Sequence, residues 1–442
     1  MRLIALPLML LLAACASSGG TDGMGSPVAP SPMPVVPPPA PPPPPMTMTP
    51  NAGSATVSQQ VANPTEAGFR VYMEKLRNFA PSRGISEATW DSAMAGVSMN
   101  SKSIDLSQPG GGGMGRVSSY LERIDASMVS RGRNAVAANA ALLNKVGQDT
   151  GVDPAAIAGI WGNETSYGNV LGNFYVVEAL ASLAYEGRRR AYFEDELFAA
   201  LMLLQQGLAT RAELTGSYAG ALGQVQFMPS NILKLGVDGD GDGERDLRGS
   251  LSDAFYSCAN YLLAYGWRKG EPWLAEARLP SGFRWENAGP DITKTPAEWD
   301  AMGVTTVDGR RLSALVAPDA QISVLLPGGH RGIPMIAFPN YRRFLDYNPS
   351  QSYAIAVSHL GNRIKGGGDW QASWPADLQG MTSADMKSLQ AGLLALGYDV
   401  TADGRFGDKT RKAVRAFQLS IGLPADGYPT RSLIARVRGG VS

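Results

Sequence analysis

The sequence predicts a mainly α-helical protein with a small β-containing lobe, and three observations support this fold class. Apolar side chains recur at spacings of three and four along most of residues 66–207, as on the buried face of a helix. Residues 280–339 are instead rich in Gly and Pro, and the run 321–326 alternates as short strands do. Beyond residue 381, further helical patterns separated by turn signals predict a compact helical unit.

The composition excludes several classes of function. The chain has 442 residues, enough for about three domains. Basic and acidic residues are equal in number, 39 each, so there is no basic footprint and we expect no nucleic-acid partner. The two His residues, His330 and His359, form no zinc motif, and the sequence has neither a serine-nucleophile elbow nor a phosphate-binding loop. We therefore expect both His residues to be structural.

The first 15 residues predict export. Arg2 precedes an apolar run, residues 3–14, that is too short to span a membrane as a helix. The run ends in Leu-Ala-Ala followed by Cys15, which resembles a bacterial lipoprotein signal peptide that ends at a lipidated Cys15. By the same resemblance Ala16, which is not Asp, directs the protein to the outer membrane. We expect a periplasmic protein, lipid-anchored to the inner leaflet of the outer membrane; a plain secretory segment is the alternative.

Residues 16–64 contain almost no core-forming side chains and predict a Pro-rich, disordered tether. Residues 37–45 are nearly all Pro, which favours an extended polyproline conformation. At about 3 Å per residue, such a tether is long enough to hold a folded body well away from a membrane. A tail without function predicts the same conformation.

A helix is predicted between Asp153 and Gly168, with an acid near its end. Asp153 suits the N-cap, Pro154 the first turn and Gly168 the stop. Glu164 shares one helical face with the apolar residues Ile157, Ile160 and Trp161. Apolar surroundings and the negative end of a helix both disfavour a charged carboxyl, so we expect a raised pKa that suits a general acid. A solvated surface Glu is the alternative.

The Gly-rich segment at residues 216–230 is a candidate for ligand binding. Its three Gly residues within eight positions permit a close approach to the backbone. Ser217 and Gln226 carry groups that hydrogen-bond hydroxyls or amides, and Phe227 and Met228 offer an apolar floor. An ordinary loop is the alternative.

An acidic run predicts a calcium site. Asp238, Asp240 and Asp242 occupy positions 1, 3 and 5 of a calcium loop, and the backbone carbonyl of Glu244 occupies position 7. Position 12 is Gly, so Asp253 would have to complete the site. Three acids at alternating positions repel one another unless a cation neutralises them. We predict a structural Ca²⁺ that pins this loop; a solvated acidic turn is the alternative.

Four segments of the chain form a combined signature. In chain order they are Asn163-Glu164-Thr165-Ser166-Tyr167-Gly168, residues 217–230, Asn260-Tyr261 and Tyr347-Asn348-Pro349-Ser350. Together they resemble the membrane-bound lytic transglycosylase B family of peptidoglycan-cleaving enzymes. The match spans residues 65–365, which we interpret as the catalytic domain. It implies a lysozyme-like, α-rich core with a groove for glycan strands.

The resemblance also implies a reaction and its residues. The family cuts the β-1,4 bond between N-acetylmuramic acid and N-acetylglucosamine and leaves a 1,6-anhydro ring. Carried across, Glu164 is the sole acid and base, and the groove residues are Ser217, Gln226, Tyr261, Tyr347 and Asn348, with Met228 added as the apolar floor. Asn163 departs from the Val that is most common in the family, which leaves the acid in place.

A single carboxylate is consistent with this reaction. Ordinary glycosidases need two, about 5 to 9 Å apart. No second acid adjoins Glu164 in sequence, and Glu178 and Glu186 are interpreted as structural. One acid suffices if it protonates the leaving oxygen and then deprotonates the sugar's own 6-hydroxyl, which attacks in place of water. The alternatives are a hydrolytic muramidase, with a second carboxylate from elsewhere in the chain, and a non-catalytic peptidoglycan-binding scaffold.

Residues 379–440 are similar to the small three-helix peptidoglycan-binding domain, and residues 366–378 are interpreted as a linker. The matching positions are Leu389-Gln390, Gly397-Tyr398, Asp403-Gly404, Phe406-Gly407, Thr410, Phe417-Gln418 and Asp426-Gly427. Most of them are core and turn positions, so they predict the fold and do not locate a binding surface. A wall-binding module at one end and a lipid anchor at the other would raise the effective concentration of substrate.

Overall fold

The computed structural model describes residues 60–108, 113–114, 117–378 and 380–439. The predicted signal peptide with Cys15, and residues 16–59 of the predicted tether, lie outside the described residues. The last five tether residues belong to the folded body instead: the Val61 amide donates to the Glu186 carbonyl at 2.9 Å, and the Val61 side chain packs against the main core. Within the described ranges, no helix is both long enough and apolar enough to cross a membrane.

The described residues are mostly helical, which confirms the predicted fold class. The helices are α1 (Glu66–Phe79), α2 (Glu87–Met94), α3 (Ser101–Leu106), α4 (Val117–Leu121), α5 (Ala126–Ala138), α6 (Ala140–Thr150), α7 (Pro154–Thr165), α8 (Val176–Glu186), α9 (Arg190–Gln205), α10 (Pro229–Leu235), α11 (Leu251–Ala264), α12 (Pro296–Ala301), α13 (Pro339–Tyr347), α14 (Gln351–Ile364), α15 (Ser383–Ala395), α16 (Asp408–Ser420) and α17 (Arg431–Val437). The strands are β1 (Gly113–Met114), β2 (Phe174–Tyr175), β3 (Thr215–Gly216), β4 (Leu274–Arg278), β5 (Thr305–Thr306), β6 (Ser323–Leu325), β7 (Met335–Ala337) and β8 (Met381–Thr382).

Helix α7 lies at the centre of the main core. It is buried around most of its circumference, whereas the sequence pattern predicted burial of one face. Small residues allow α14 to pack closely against it: a Cβ on Gly159 would lie 2.7 Å from the Val357 carbonyl oxygen, and one on Gly361 would lie 2.7 Å from the Ala155 carbonyl oxygen. These two helices therefore form a rigid support for the last turn of α7.

The β-containing lobe has its own core and one antiparallel sheet of order β5-β4-β7-β6. The predicted run 321–326 contains strand β6, and the sheet packs over buried side chains that include Trp299, Ile322 and Phe338. The lobe begins with β4, before the predicted boundary at residue 280. The sequence does not predict this earlier boundary because β4 contains no β-branched or aromatic residue.

The C-terminal module is a three-helix unit, α15 to α17, around a separate apolar core. The preceding linker is held against the catalytic body, since Trp370 stacks on His359 at 4.4 Å between ring centroids. The amides of Gln371 and Ala372 donate to the buried Glu276 carboxylate at 2.7 and 2.8 Å. Strand β8 also pairs with β1. The predicted linker is therefore an ordered connection.

Candidate active site at the end of helix α7

The end of α7 leaves the Glu164 side chain partly exposed. Asp153 caps the start of the helix as predicted, with its carboxylate accepting from the Ala155 amide at 2.8 Å. The helix ends at Thr165, before the predicted stop at Gly168, because Ser166 and Tyr167 adopt positive φ angles of 51° and 61°. Such left-handed residues are uncommon outside Gly and concentrate at functional sites.

The Glu164 carboxyl is half-buried, and burial raises its pKa to about 7. The Tyr353 hydroxyl on α14 lies close to this carboxyl and lowers its pKa in part. Burial raises the pKa of the Tyr347 and Cys258 side chains, and the negative charge of Glu164 raises it further, so these groups also lie close to Glu164. At neutral pH the acid therefore exists in both protonation states.

Across the described ranges, no second acid raises the pKa of Glu164, as a carboxylate a few ångströms away would do. The two acids of the next helix are engaged elsewhere. Glu178 accepts from the Asn100 side-chain amide at 3.0 Å, and Glu186 accepts from Arg188 at 2.6 Å. Their contacts agree with the structural role predicted for them.

The Gly-rich segment forms an ordered turn beside the acid. Strand β3 pairs with β2, and the Ser217 hydroxyl accepts from the Ala221 amide at 2.9 Å. Gln226 has a positive φ of 53°, and its side-chain amide donates to the Gly223 carbonyl at 3.0 Å. Met228 precedes α10 and packs partly against the core. Both polar side chains that the sequence singled out are therefore half-exposed on one turn.

An aromatic cluster places the remaining predicted residues near the same turn. The ring centroids of Tyr261 and Tyr347 are 4.8 Å apart, and Phe227 lies 5.6 Å from Tyr261. The Tyr347 hydroxyl donates to the Val225 carbonyl at 2.5 Å, which ties α13 to the Gly-rich segment. The Tyr261 hydroxyl donates to a backbone carbonyl, and Asn348, half-buried, follows α13 directly. The tyrosine hydroxyls thus brace the wall of the site.

Gln224 is a structural link that the sequence analysis missed. Its side-chain oxygen accepts from the Trp161 indole at 2.8 Å, and its backbone carbonyl accepts from the Thr165 hydroxyl at 2.8 Å. Its side-chain amide donates to the Arg248 carbonyl at 3.0 Å. Gln224 therefore joins the end of α7 to the segment behind the acidic loop. Its sequence neighbourhood carries no signal for this, because both partners on α7 are some 60 residues away.

The acidic loop brings together three of the predicted metal ligands. Carboxylate oxygens of Asp238, Asp240 and Asp253 all lie within 4.8 Å of one another. Asp253 is buried, and its pKa is raised by burial and by the charge of Asp240. Asp242 lies outside this cluster and accepts from the Glu244 amide at 2.8 Å, and the Glu244 side chain is exposed. Three oxygen donors so placed fit a hard cation such as Ca²⁺.

Comparison with known proteins identifies the family. Residues 68–362 match the transglycosylase SLT domain, and residues 382–437 match a peptidoglycan binding domain. The chain belongs to the transglycosylase SLT domain family. It is homologous to lytic murein transglycosylases, and both matched ranges lie inside the domains predicted from the sequence.

Individual relatives place the chain within this family. It is 35% identical over 229 residues to the membrane-bound lytic murein transglycosylase B of Escherichia coli, covering 50% of this chain and 60% of that protein. It is 42% identical to SltB3 of Pseudomonas aeruginosa in complex with NAG-anhNAM-pentapeptide, with a TM-score of 0.80, covering 84% of this chain and 99% of that one. The Escherichia coli lytic transglycosylase Slt35 in complex with calcium is 28% identical, with a TM-score of 0.56 and coverage of 70% and 98%.

Proposed function

We propose that the protein is a lytic transglycosylase that cleaves the β-1,4 bond between N-acetylmuramic acid and N-acetylglucosamine in peptidoglycan. The observation that carries this proposal is Glu164, a single carboxyl with a pKa raised to about 7 and, among the described residues, no second acid that shifts it. Membership of the transglycosylase SLT domain family supports the reaction class. SltB3 was solved with an anhydro sugar, the kind of product that this reaction forms.

The reaction needs one proton donor that becomes a base. Protonated Glu164 donates its proton to the glycosidic oxygen, the bond to C1 of the muramic acid breaks, and the substrate's acetamido group stabilises the cationic centre. The Glu164 carboxylate then removes the proton of the same sugar's 6-hydroxyl, whose oxygen bonds to C1. This closes the 1,6-anhydro ring and restores the acid. The half-buried carboxyl suits both steps, since its two forms are close in energy at neutral pH.

Substitution of the acid tests this function. Glu164→Gln keeps the size and polarity of the side chain but cannot deliver a proton, so we expect glycan cleavage to be lost while wall binding stays near that of the unmodified protein. Mass spectrometry of the wild-type products separates the two enzymatic alternatives, since an anhydro end is lighter than a hydrolysed reducing end by one water. Retained cleavage in Glu164→Gln would contradict the role of Glu164, and reducing ends would indicate a muramidase.

We further propose that Asp238, Asp240 and Asp253 bind a structural Ca²⁺, with Asp242 and the Glu244 carbonyl completing the ligand set. Support comes from the close approach of the three carboxylates and from the complex of Slt35 with calcium. The ion would neutralise their repulsion and fix the loop between α10 and α11. No step of the reaction passes through it.

The proposed location is the periplasm, with a lipid on Cys15 anchoring the chain to the inner leaflet of the outer membrane. The sequence around Cys15 supports this, as does the name of the relative described as membrane-bound. The C-terminal module, which matches a peptidoglycan binding domain, would hold the enzyme to the wall. Glycan strands are the proposed partner of both domains.

A further inference from the structure

A cleft of about 480 Å³ lies between the C-terminal module and the catalytic body. The module contributes residues 405–408, Arg411 and residues 426–428 to one wall. The opposite wall consists of residues 349–352, at the start of α14, with parts of the β-containing lobe. The sequence motifs described above do not predict a function for this cleft.

Contacts between the two domains hold the cleft in shape. The Asp426 carboxylate accepts from the His330 amide at 2.8 Å and contacts the His330 ring nitrogen at 2.7 Å. The Arg415 guanidinium donates to the Ala288 carbonyl. Because both domains supply fixed groups, the cleft is a built feature of the folded chain.

The cleft is close to the proposed acid. Its wall at residues 349–352 lies directly between Tyr347 and Tyr353, whose hydroxyl groups are both affected by the charge of Glu164. The first turn of α14 therefore carries both residues that line the cleft and Tyr353, which interacts with Glu164. A helix with its side chains is about 10 Å across, which sets the scale of the separation.

The chemistry of the cleft favours carboxylates. Arg405 is exposed, and its charge lowers the pKa of the neighbouring Asp403, but among the described residues no hydrogen bond or salt bridge holds its guanidinium. The Arg411 guanidinium lies over the Phe406 ring, 5.1 Å from the ring centroid, and one of its nitrogens donates to the Asp408 carboxylate at 2.8 Å. The other acid, Asp426, is satisfied by His330 and Gln418. Guanidinium groups bind carboxylates through paired hydrogen bonds, and the N-terminal turn of α14 adds positive potential on the facing wall.

We infer that this cleft binds the stem peptide of the peptidoglycan strand, with Arg405 and Arg411 engaging its carboxylates; the inference rests on the proposed function. Stem peptides are short, acidic and attached to the muramic acid whose bond is cut. Five extended residues reach about 17 Å, which exceeds the breadth of about 10 Å of a helix such as α14. The C-terminal module would thus bind the stem peptide while the catalytic body binds the glycan.

The test compares two probes on the full chain carrying Glu164→Gln, which prevents turnover. One probe is a glycan oligomer with pentapeptide stems, and the other is the same oligomer stripped of its peptides. We expect Arg405→Ala to lower the ratio of the two affinities about tenfold, the loss of a charge-assisted contact. Ser352→Glu should have the same effect, because it adds a carboxylate to the facing wall at a helix position where Glu is favourable.

Lys409→Ala is the matched control, since Lys409 is a basic residue of α16, the helix that carries Arg411, and contacts Asp399 outside the cleft. It should leave the ratio unchanged. The peptide site is refuted if Arg405→Ala and Ser352→Glu lower the affinities for the two oligomers equally, or if they lower neither affinity. Because the probes report binding, this result is independent of the product analysis: absence of anhydro ends would refute the proposed function and leave the affinity ratio as it is.

Discussion

Glu164 performs two opposite tasks in the proposed reaction, and its surroundings are arranged for both. Burial favours the neutral acid, while the Tyr353 hydroxyl favours the carboxylate. The resulting pKa, about 7, lies where neither form is costly. A fully buried carboxyl without the hydroxyl would be a poor base, and a solvated one would be a poor acid.

The pH dependence of cleavage follows from this pKa. The first step needs protonated Glu164, so we expect kcat/KM to fall roughly tenfold per pH unit above about 7. Tyr353→Phe removes the hydroxyl that lowers the pKa, so the alkaline limb should move to higher pH, by up to about one unit. The measurement is kcat/KM against pH for both proteins. A limb that stays in place would show that Tyr353 does not interact with the acid.

Gln224 is expected to act as a positioning residue. Gln224→Met keeps the length of the side chain but removes the bonds to Trp161 and Arg248, so the end of α7 is held less firmly. We expect kcat to fall about tenfold with little change in KM, because misplacement of the acid affects the transition state most. The alkaline limb of the pH profile should shift as well.

Gln206→Met, an exposed change at the end of α9, controls for the introduction of Met. If Gln224→Met lowers stability but leaves kcat and the pH profile unchanged, Gln224 has only a structural role.

Residue-level features differ in how far the sequence predicts them. Asp153 and Pro154 mark the start of α7 by local chemistry, and the structure agrees. Gln224 and Tyr353 act on the end of α7 from distant parts of the chain, and nothing in their own neighbourhood indicates that partner. Local rules predict caps and periodicity, whereas the surroundings of an acid depend on tertiary packing.

At the scale of elements, the acidic loop is connected to the active site through a short chain of bonds. Asp253 accepts from the Gly239 and Asp246 amides, both at 2.8 Å, and so holds the loop closed. The backbone carbonyl of Arg248, two residues beyond Asp246, accepts a hydrogen bond from the side-chain amide of Gln224. Gln224 in turn bonds to the end of α7. An ordered loop therefore supports the position of Glu164.

Removal of the proposed ion should loosen this support. We expect EDTA to lower the melting temperature, because a ligand at about 100 times its Kd contributes about 2.7 kcal/mol to stability. Asp240→Asn should abolish the response to EDTA. Glu244→Gln should retain it, since position 7 contributes a backbone carbonyl. An equal response in the wild type and Asp240→Asn would argue against a cation at this cluster.

The elements also show where sequence patterns are sufficient. Helical periodicity predicts helices at residues 177–185, 192–207 and 352–364, which agree with α8, α9 and α14 to within two residues, and the alternating run contains β6. The sequence does not predict strand β4, because it lacks the β-branched and aromatic residues that are enriched in strands. The linker predicted over residues 366–378 is ordered, which its sequence does not indicate: its few apolar side chains pack individually, and periodicity does not reveal single contacts such as Trp370 on His359.

Over the whole molecule, two buried groups make opposite contributions to pH-dependent stability. The pKa of Glu164 is raised from 4.5 to about 7, so its contribution to stability is complete below pH 4.5 and is lost as pH rises through 7. Burial under the linker lowers the pKa of His359 from 6.5 to about 4, so its contribution is present above pH 6.5 and is lost as pH falls through 4. In the wild type the two effects oppose each other across the same range.

Single variants should separate the contributions of Glu164 and His359 to pH-dependent stability. At about 1.4 kcal/mol per pKa unit, each group contributes at most about 3.5 kcal/mol. Relative to wild type, Glu164→Gln should become more stable as pH rises from 4 to 8, and His359→Gln should become more stable as pH falls from 7 to 4. Denaturant unfolding at several pH values measures both differences, with exposed Glu74→Gln as a control that should show neither trend. A pH-independent difference for Glu164→Gln would mean that the folded body does not perturb this carboxyl, and the proposed acid would lose its physical basis.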